Sequence, residues 1–186
     1  GLARPQLGMG KSEIKSRGLE IVFALDVSNS MLAEDDPPNR LDNAKRALNR
    51  LMDKMGGAFV GLVAFAGSSH LISPLTNDYG SIRMFLEQLN PESVSTQGTS
   101  FDKVIQTAME AFQRGGLSED DQRKVTRVLL IATDGEAQDS KSLKVASQAA
   151  EAGIRIFTLG LGTRKGAPVP LRDERGMLTG YKKDKG

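Results

Sequence analysis

IVFALDVSNS, residues 21–30, is a run of five apolar positions that gives way to Asp26, Ser28 and Ser30. A stretch apolar on both faces reads as a strand covered on both sides, the kind found inside a parallel sheet sandwiched by helices. The polar residues that follow stand at every second position as the chain leaves the strand. They set one carboxylate and two hydroxyls where three hard oxygens can turn toward a small divalent cation above the sheet edge.

Outward from this stretch the chain alternates strand and helix signals. After the acidic loop Glu34, Asp35, Asp36 and the Pro37, Pro38 pair, which forbids a continuous helix, Leu41, Ala44, Ala47, Leu48, Leu51, Met52 and Met55 share a helical face, ended by Gly56 and Gly57. The three acids read as a solvated loop, with an extra metal ligand as the sharper alternative. Residues 59–66 form a second buried strand and 70–73 a short third one. A helix capped by Asn77 or Asp78 presents Ile82, Phe85, Leu86 and Leu89 inward. Thr99 and Ser100 precede a further helix with Phe101, Val104, Ile105, Ala108, Met109 and Phe112 on its apolar face. Either residue suits an N-cap, with Asp102 favourably placed in the helix dipole, and a cap can also be a ligand. Residues 125–132 form a fourth strand that exits into Thr133, Asp134, Gly135, Glu136, a second carboxylate at a strand end. The helix after it, capped near Asp139 or Ser140, is expected to turn Leu143, Ala146, Ala149 and Ala150 inward. Residues 154–161 complete a fifth strand, and Val169 to Leu171 with Met177 to Tyr181 suggest a hairpin.

The expected fold is therefore α/β, Rossmann-like and doubly wound, with a mainly parallel sheet, one short antiparallel edge strand and helices on both faces. Ligands of such sheets sit beyond the carboxyl ends of the strands, where strand order reverses. Asp26, Ser28, Ser30, Thr99 and Asp134 would meet there if the first and fourth strands are neighbours.

Composition narrows the function classes. The 186 residues, 39% of them hydrophobic, suffice for one core, expected over residues 19–163 between an extended lead-in, 1–18, and the terminal hairpin segment, 164–186. With 25 basic against 23 acidic residues there is no electrostatic case for nucleic acid. The chain has no cysteine, so disulfides and thiolate metal sites are excluded, and no apolar run of membrane-spanning length. Gly10, Lys11, Ser12 imitate the end of a phosphate-binding loop, yet Pro5 stands where the first glycine belongs. His70 is the single histidine, and without a Gly-x-Ser-x-Gly elbow a serine hydrolase lacks its nucleophile turn. Gly160, Gly162 and Gly166 imitate a dinucleotide loop, but Pro168 and Pro170 prevent the helix it must open.

These motifs resemble the von Willebrand factor type A domain with a metal-ion-dependent adhesion site, in which Asp-x-Ser-x-Ser follows the first strand, a Thr precedes a central helix and an Asp follows the fourth strand. The stretches LDVSNSMLAEDDPPNRLDNAK, TDGEAQD and GAPVPLRDERGMLTGYKKD are, more narrowly, similar to the bacterial Bat proteins, BatA and BatB, linked to aerotolerance. The resemblance implies that Asp26, Ser28, Ser30, Thr99 and Asp134 hold a divalent cation, Mg²⁺ before Mn²⁺ or Ca²⁺, with no catalytic residue. It places Asn29, Met31, Gly98, Gly135 and Glu136 where a protein partner offering Asp or Glu would dock. It further implies anchoring in the bacterial inner membrane with the domain on the periplasmic side, other Bat proteins and a MoxR-type ATPase as partners, and a last helix and strand beyond this chain. A Mg²⁺-dependent phosphohydrolase of the haloacid dehalogenase type, or a metal-free scaffold, are the rivals. The former needs a carboxylate two residues after its nucleophile, where this chain has Ser28.

Overall fold

A computed structural model describes residues 14–15, 18–116, 125–135, 140–162, 169–172 and 178–182. In chain order the elements are β1 (Ile14–Lys15), β2 (Leu19–Asp26), α1 (Arg40–Asp53), β3 (Met55–Gly56), β4 (Phe59–Phe65), β5 (Ser69–Thr76), α2 (Tyr79–Gln88), α3 (Phe101–Arg114), β6 (Thr126–Thr133), α4 (Ser140–Glu151), β7 (Ile154–Gly160), β8 (Val169–Arg172) and β9 (Leu178–Lys182).

The main sheet has the order β5-β4-β2-β6-β7, parallel throughout except for antiparallel β5 at one edge. β2 is central and buried along its whole length, as its unbroken apolar run requires. Its side chains alternate between two cores. Ile21, Phe23 and Leu25 face α1 and α2, meeting Leu48, Met52, Ile82 and Leu86. Val22 and Ala24 face α3 and α4, meeting Val104, Ile105, Ala108 and Val145. The chain builds outward from β2 to β4 and β5 on one side, then returns across it to place β6 and β7 on the other. The strand order thus reverses between β2 and β6, and the open end of that gap lies at Asp26 and Thr133.

Three local expectations are corrected. α1 stops at Asp53, because the Lys54 N–H turns back onto the carbonyls of Leu51 and Met52. Met55 leaves the helical face and pairs instead with Ile14 in a two-strand contact. β5 runs to Thr76 through Pro74, a residue that suits an edge strand without a partner on its outer side. In α4 the inward stripe is Ser142, Val145 and Ala149, at three- and four-residue spacing. Leu143 falls one step off that stripe and is 58% exposed, and Ala150 faces solvent with it.

The C-terminal strands β8 and β9 pair antiparallel with each other as a separate two-stranded unit, as the hairpin reading expects. β8 lies beside the short 3₁₀ turn Asn29–Leu32 that follows β2. The expected turn at 173–176, the cap at Asp139, most of the lead-in and residues 163–168 fall outside the described residues. Among the described residues no helix is long and apolar enough to cross a membrane.

Candidate functional site

The register of the central strands builds the site. Leu25 pairs with Ala132 on β6 and Asp26 pairs with Phe65 on β4, so Asp26 and Thr133 stand side by side on the α3 face of the sheet. Asp26 is fully buried, and both of its carboxylate oxygens are engaged. Oδ1 accepts the Ser28 N–H at 2.8 Å, and Oδ2 accepts the Thr133 hydroxyl at 2.6 Å. The Gly135 N–H then donates to Thr133 Oγ1 at 3.0 Å, carrying the connection into the loop that holds Asp134. Burial, the largest influence, pushes the Asp26 carboxyl up to about 6. The hydrogen bonds from Ser28 and Thr133 oppose it, and the nearby charge of Asp134 adds to it.

Ser28 and Ser30 lie on the turn after β2 with their hydroxyl oxygens 3.0 Å apart. The turn is pinned by Met31 N–H to Ser28 carbonyl at 3.0 Å and Ala33 N–H to Ser30 carbonyl at 3.1 Å. Met31, expected at the partner surface, is instead fully buried in the α1 and α2 core. Its apolar side chain follows the hydrophobic effect and anchors the turn from beneath. Asn29 is half-buried, while Gly98 and Gly135 are exposed; Glu136 lies outside the described residues.

Thr99 is exposed at the start of the α3 segment. Its loop is fastened to the end of β4, with the Ser100 N–H on the Ala66 carbonyl at 2.9 Å and the Gly67 N–H on the Thr96 carbonyl at 2.8 Å. A Cβ on Gly67 would collide with the Gln97 carbonyl, so only glycine permits this approach. Phe101 stacks at a tilt on Phe65, ring centres 5.9 Å apart, and fixes the start of α3 over the strand end that neighbours Asp26. Ser100 takes the N-cap position, but its hydroxyl donates to Asp102 Oδ1 at 2.6 Å and makes no cap hydrogen bond. That bond, first, and then Lys141 hold the Asp102 carboxyl below its usual range.

Two residues escaped the sequence reading. Arg40, the first residue of α1, is only 5% exposed. Its Nε and Nη2 donate to Asp35 Oδ1 and Oδ2 at 2.9 and 3.0 Å, and its Nη1 donates to Asp134 Oδ2 at 2.8 Å. These bonds, above all those to Asp35, raise the guanidinium pKa further. Asp35 is therefore no solvated loop acid: its side chain is 4% exposed. Glu34 and Asp36 beside it are exposed, as that reading expects of them. The available signal was position, since Arg40 opens the same i, i+4 row as Ala44, Leu48 and Met52 and so had to start under the apolar face. Thr133 was legible only once β6 was seen to pair with β2.

The donor set suits a hard cation: carboxylates of Asp26 and Asp134 with hydroxyls of Ser28, Ser30 and Thr99, all oxygen. Among the described residues no three His, Cys, Asp or Glu side chains cluster as a metal cage, so the hydroxyls would have to complete it.

A family model for the von Willebrand factor type A domain matches residues 21–136, which hold the strand ends and loops described above. The crystal structure of BatB from Bacteroides thetaiotaomicron is 39% identical, with a TM-score of 0.75, covering 87% of this chain and 78% of that one. An aerotolerance-related membrane protein of Bacteroides fragilis is 36% identical, with a TM-score of 0.74, covering 87% and 80%. A UPF0353 protein of Mycolicibacterium paratuberculosis is 28% identical over 171 residues, 83% of this chain and 50% of its own length. The chain spans about half the length of the curated relatives it matches.

Proposed function

Because the chain belongs to the von Willebrand factor type A family and, within it, to the Bat-type aerotolerance-related proteins, we propose that it is a metal-dependent protein-binding domain that captures a partner carboxylate through a divalent cation. The observation that carries this reading is Asp26: a fully buried carboxylate with both oxygens hydrogen-bonded, at the strand-order reversal, leading directly into the paired Ser28 and Ser30 hydroxyls.

In this reading Ser28, Ser30 and Thr99 offer hydroxyl oxygens to the ion, and Asp26 and Asp134 supply charge. Thr133 and the Ser28 N–H hold the Asp26 carboxylate in one orientation. A bound Mg²⁺ or Mn²⁺ would contribute Lewis acidity toward a carboxylate from outside. Asn29, Gly98 and Gly135 would border the contact, and Glu136, next to Gly135 in sequence, is proposed with them. Partners of this chemistry include acidic segments of other Bat proteins or of a MoxR-type ATPase. The setting would be a domain of roughly residues 19–163 held at the inner membrane on its periplasmic side.

The test is calorimetric titration of metal-stripped protein with Mg²⁺ and Mn²⁺ beside Asp26→Ala and Asp134→Ala. Saturable one-site binding lost in both variants, with their melting transitions retained, is the expected result. Folded wild-type protein that binds neither ion would leave the metal-free scaffold as the better reading, and phosphoester turnover abolished by Asp26→Asn would replace binding by catalysis.

A further inference from the structure

A buried arginine at the first position of a helix is unfavourable on two counts. Its positive charge opposes the helix dipole, and desolvating an ion pair returns little net stability. Arg40 nevertheless joins three loops at the carboxyl edge of the sheet. Asp35 comes from the loop after β2, and Asp134 from the loop after β6. Gly162, just past the end of β7, approaches so closely that a Cβ there would stand 2.6 Å from Arg40 Nε. The Leu161 N–H fastens that segment to the Thr133 carbonyl at 3.0 Å. The guanidinium is thus built into the surroundings of Asp134.

The charges decide what it does there. Among the described residues three carboxylates, Asp26, Asp35 and Asp134, stand with Arg40, whose one positive charge offsets one of theirs. Without Arg40 the surroundings of Asp134 would be one unit more negative. We propose that Arg40 is the charge-setting and positioning residue of the proposed metal site. By holding Asp134 through Oδ2 and balancing Asp35, it keeps the site one unit less negative than its carboxylates alone would make it. An incoming carboxylate then meets less repulsion. Asp134 also keeps its other oxygen, Oδ1, for the ion or its hydration shell. The inference rests on the metal-binding reading above and names what tunes it.

The experiment compares wild type, Arg40→Gln, Asp35→Asn and the double variant by Mn²⁺ and Mg²⁺ calorimetry at pH 7.5, with melting temperatures recorded for each. Arg40→Gln is expected to tighten ion binding about tenfold and Asp35→Asn to weaken it about tenfold, as one added or removed neighbouring charge would. The double variant, which removes one charge of each sign, is expected within about threefold of wild type. Acetate capture, read from broadening of its methyl resonance by bound Mn²⁺, should fall in Arg40→Gln even as ion affinity rises. A merely structural clamp predicts the reverse pattern: both single variants weaken the ion and the double weakens it at least as much, which would overturn the proposal. If Arg40→Gln does not fold, Arg40→Lys decides together with Asp35→Asn. Lys preserves the charge without the fork, so unchanged affinity supports charge setting, and loss comparable to that of Asp35→Asn overturns it. Wild-type protein that binds neither ion would overturn the metal reading and this one with it; binding that ignores all the substitutions overturns this one alone.

Discussion

Asp26 shows how one residue can be costly to the fold and still be kept in place by it. Its side chain is buried, and its carboxyl sits near 6 against 3.8 for an ordinary aspartate. A group that binds its proton more tightly folded than unfolded favours the native state fully below about pH 4, and that contribution is lost as pH rises through about 6. In divalent-free buffer, urea unfolding at pH 5 and 7.5 should therefore show wild type losing about 1 kcal/mol relative to Asp26→Asn across that interval. Equal pH dependence of the two proteins would mean that Asp26 is not the buried titrating group. Arg40 carries the matching lesson on the cationic side. A sequence reading sees it only as the end of an acidic loop, and its role appears when Asp134, 94 positions away, closes on it.

At the scale of elements, the predicted strands and helices all recur among the described residues, and the errors lie where tertiary contact overrides periodicity. α4 is an example. Leu143 looks inward by hydrophobicity, yet the helix is rotated so that Ser142, Val145 and Ala149 meet α3 and the sheet. Leu143→Asp should change stability by less than about 0.5 kcal/mol, whereas Val145→Ala should cost about 2 kcal/mol through lost burial and a cavity; thermal or urea unfolding of the pair checks the rotation. The Thr99 loop offers a second case. Gly67 admits the backbone of the loop before α3 where a Cβ would strike the Gln97 carbonyl. Gly67→Ala is expected to destabilise the domain by about 1–3 kcal/mol through overpacking. Because that loop carries Thr99, ion affinity should fall with it; calorimetry on the folded variant measures this.

For the whole molecule, the placement of the site follows from topology. Among the described residues two helices cover each face, and the strand order reverses between β2 and β6, leaving a gap at the carboxyl ends of those strands. An ion bound there would tie together the loops after β2 and β6 and the one before α3, and so would stabilise the native state by mass action. At one hundred times its dissociation constant, Mg²⁺ should add about 2.7 kcal/mol, a rise in melting temperature of about 5–10 °C for a chain of this size. EDTA should reverse it, and Asp26→Ala should show none.

The sequence by itself determined the fold class, because strand and helix periodicities are local and a run apolar on both faces has one stable setting, inside a covered parallel sheet. It also singled out Asp26, Ser28, Ser30, Thr99 and Asp134 as an oxygen-rich set, since motif spacing survives without coordinates. Only the tertiary structure decided what surrounds them. The Asp26–Thr133 bond needs the β2–β6 register, the Arg40 clamp needs loops far apart in sequence to converge, and Met31 is buried because the turn folds it under the sheet edge. Local patterns carry no record of which distant backbone a side chain will meet, and charge balance at a site is set by those meetings.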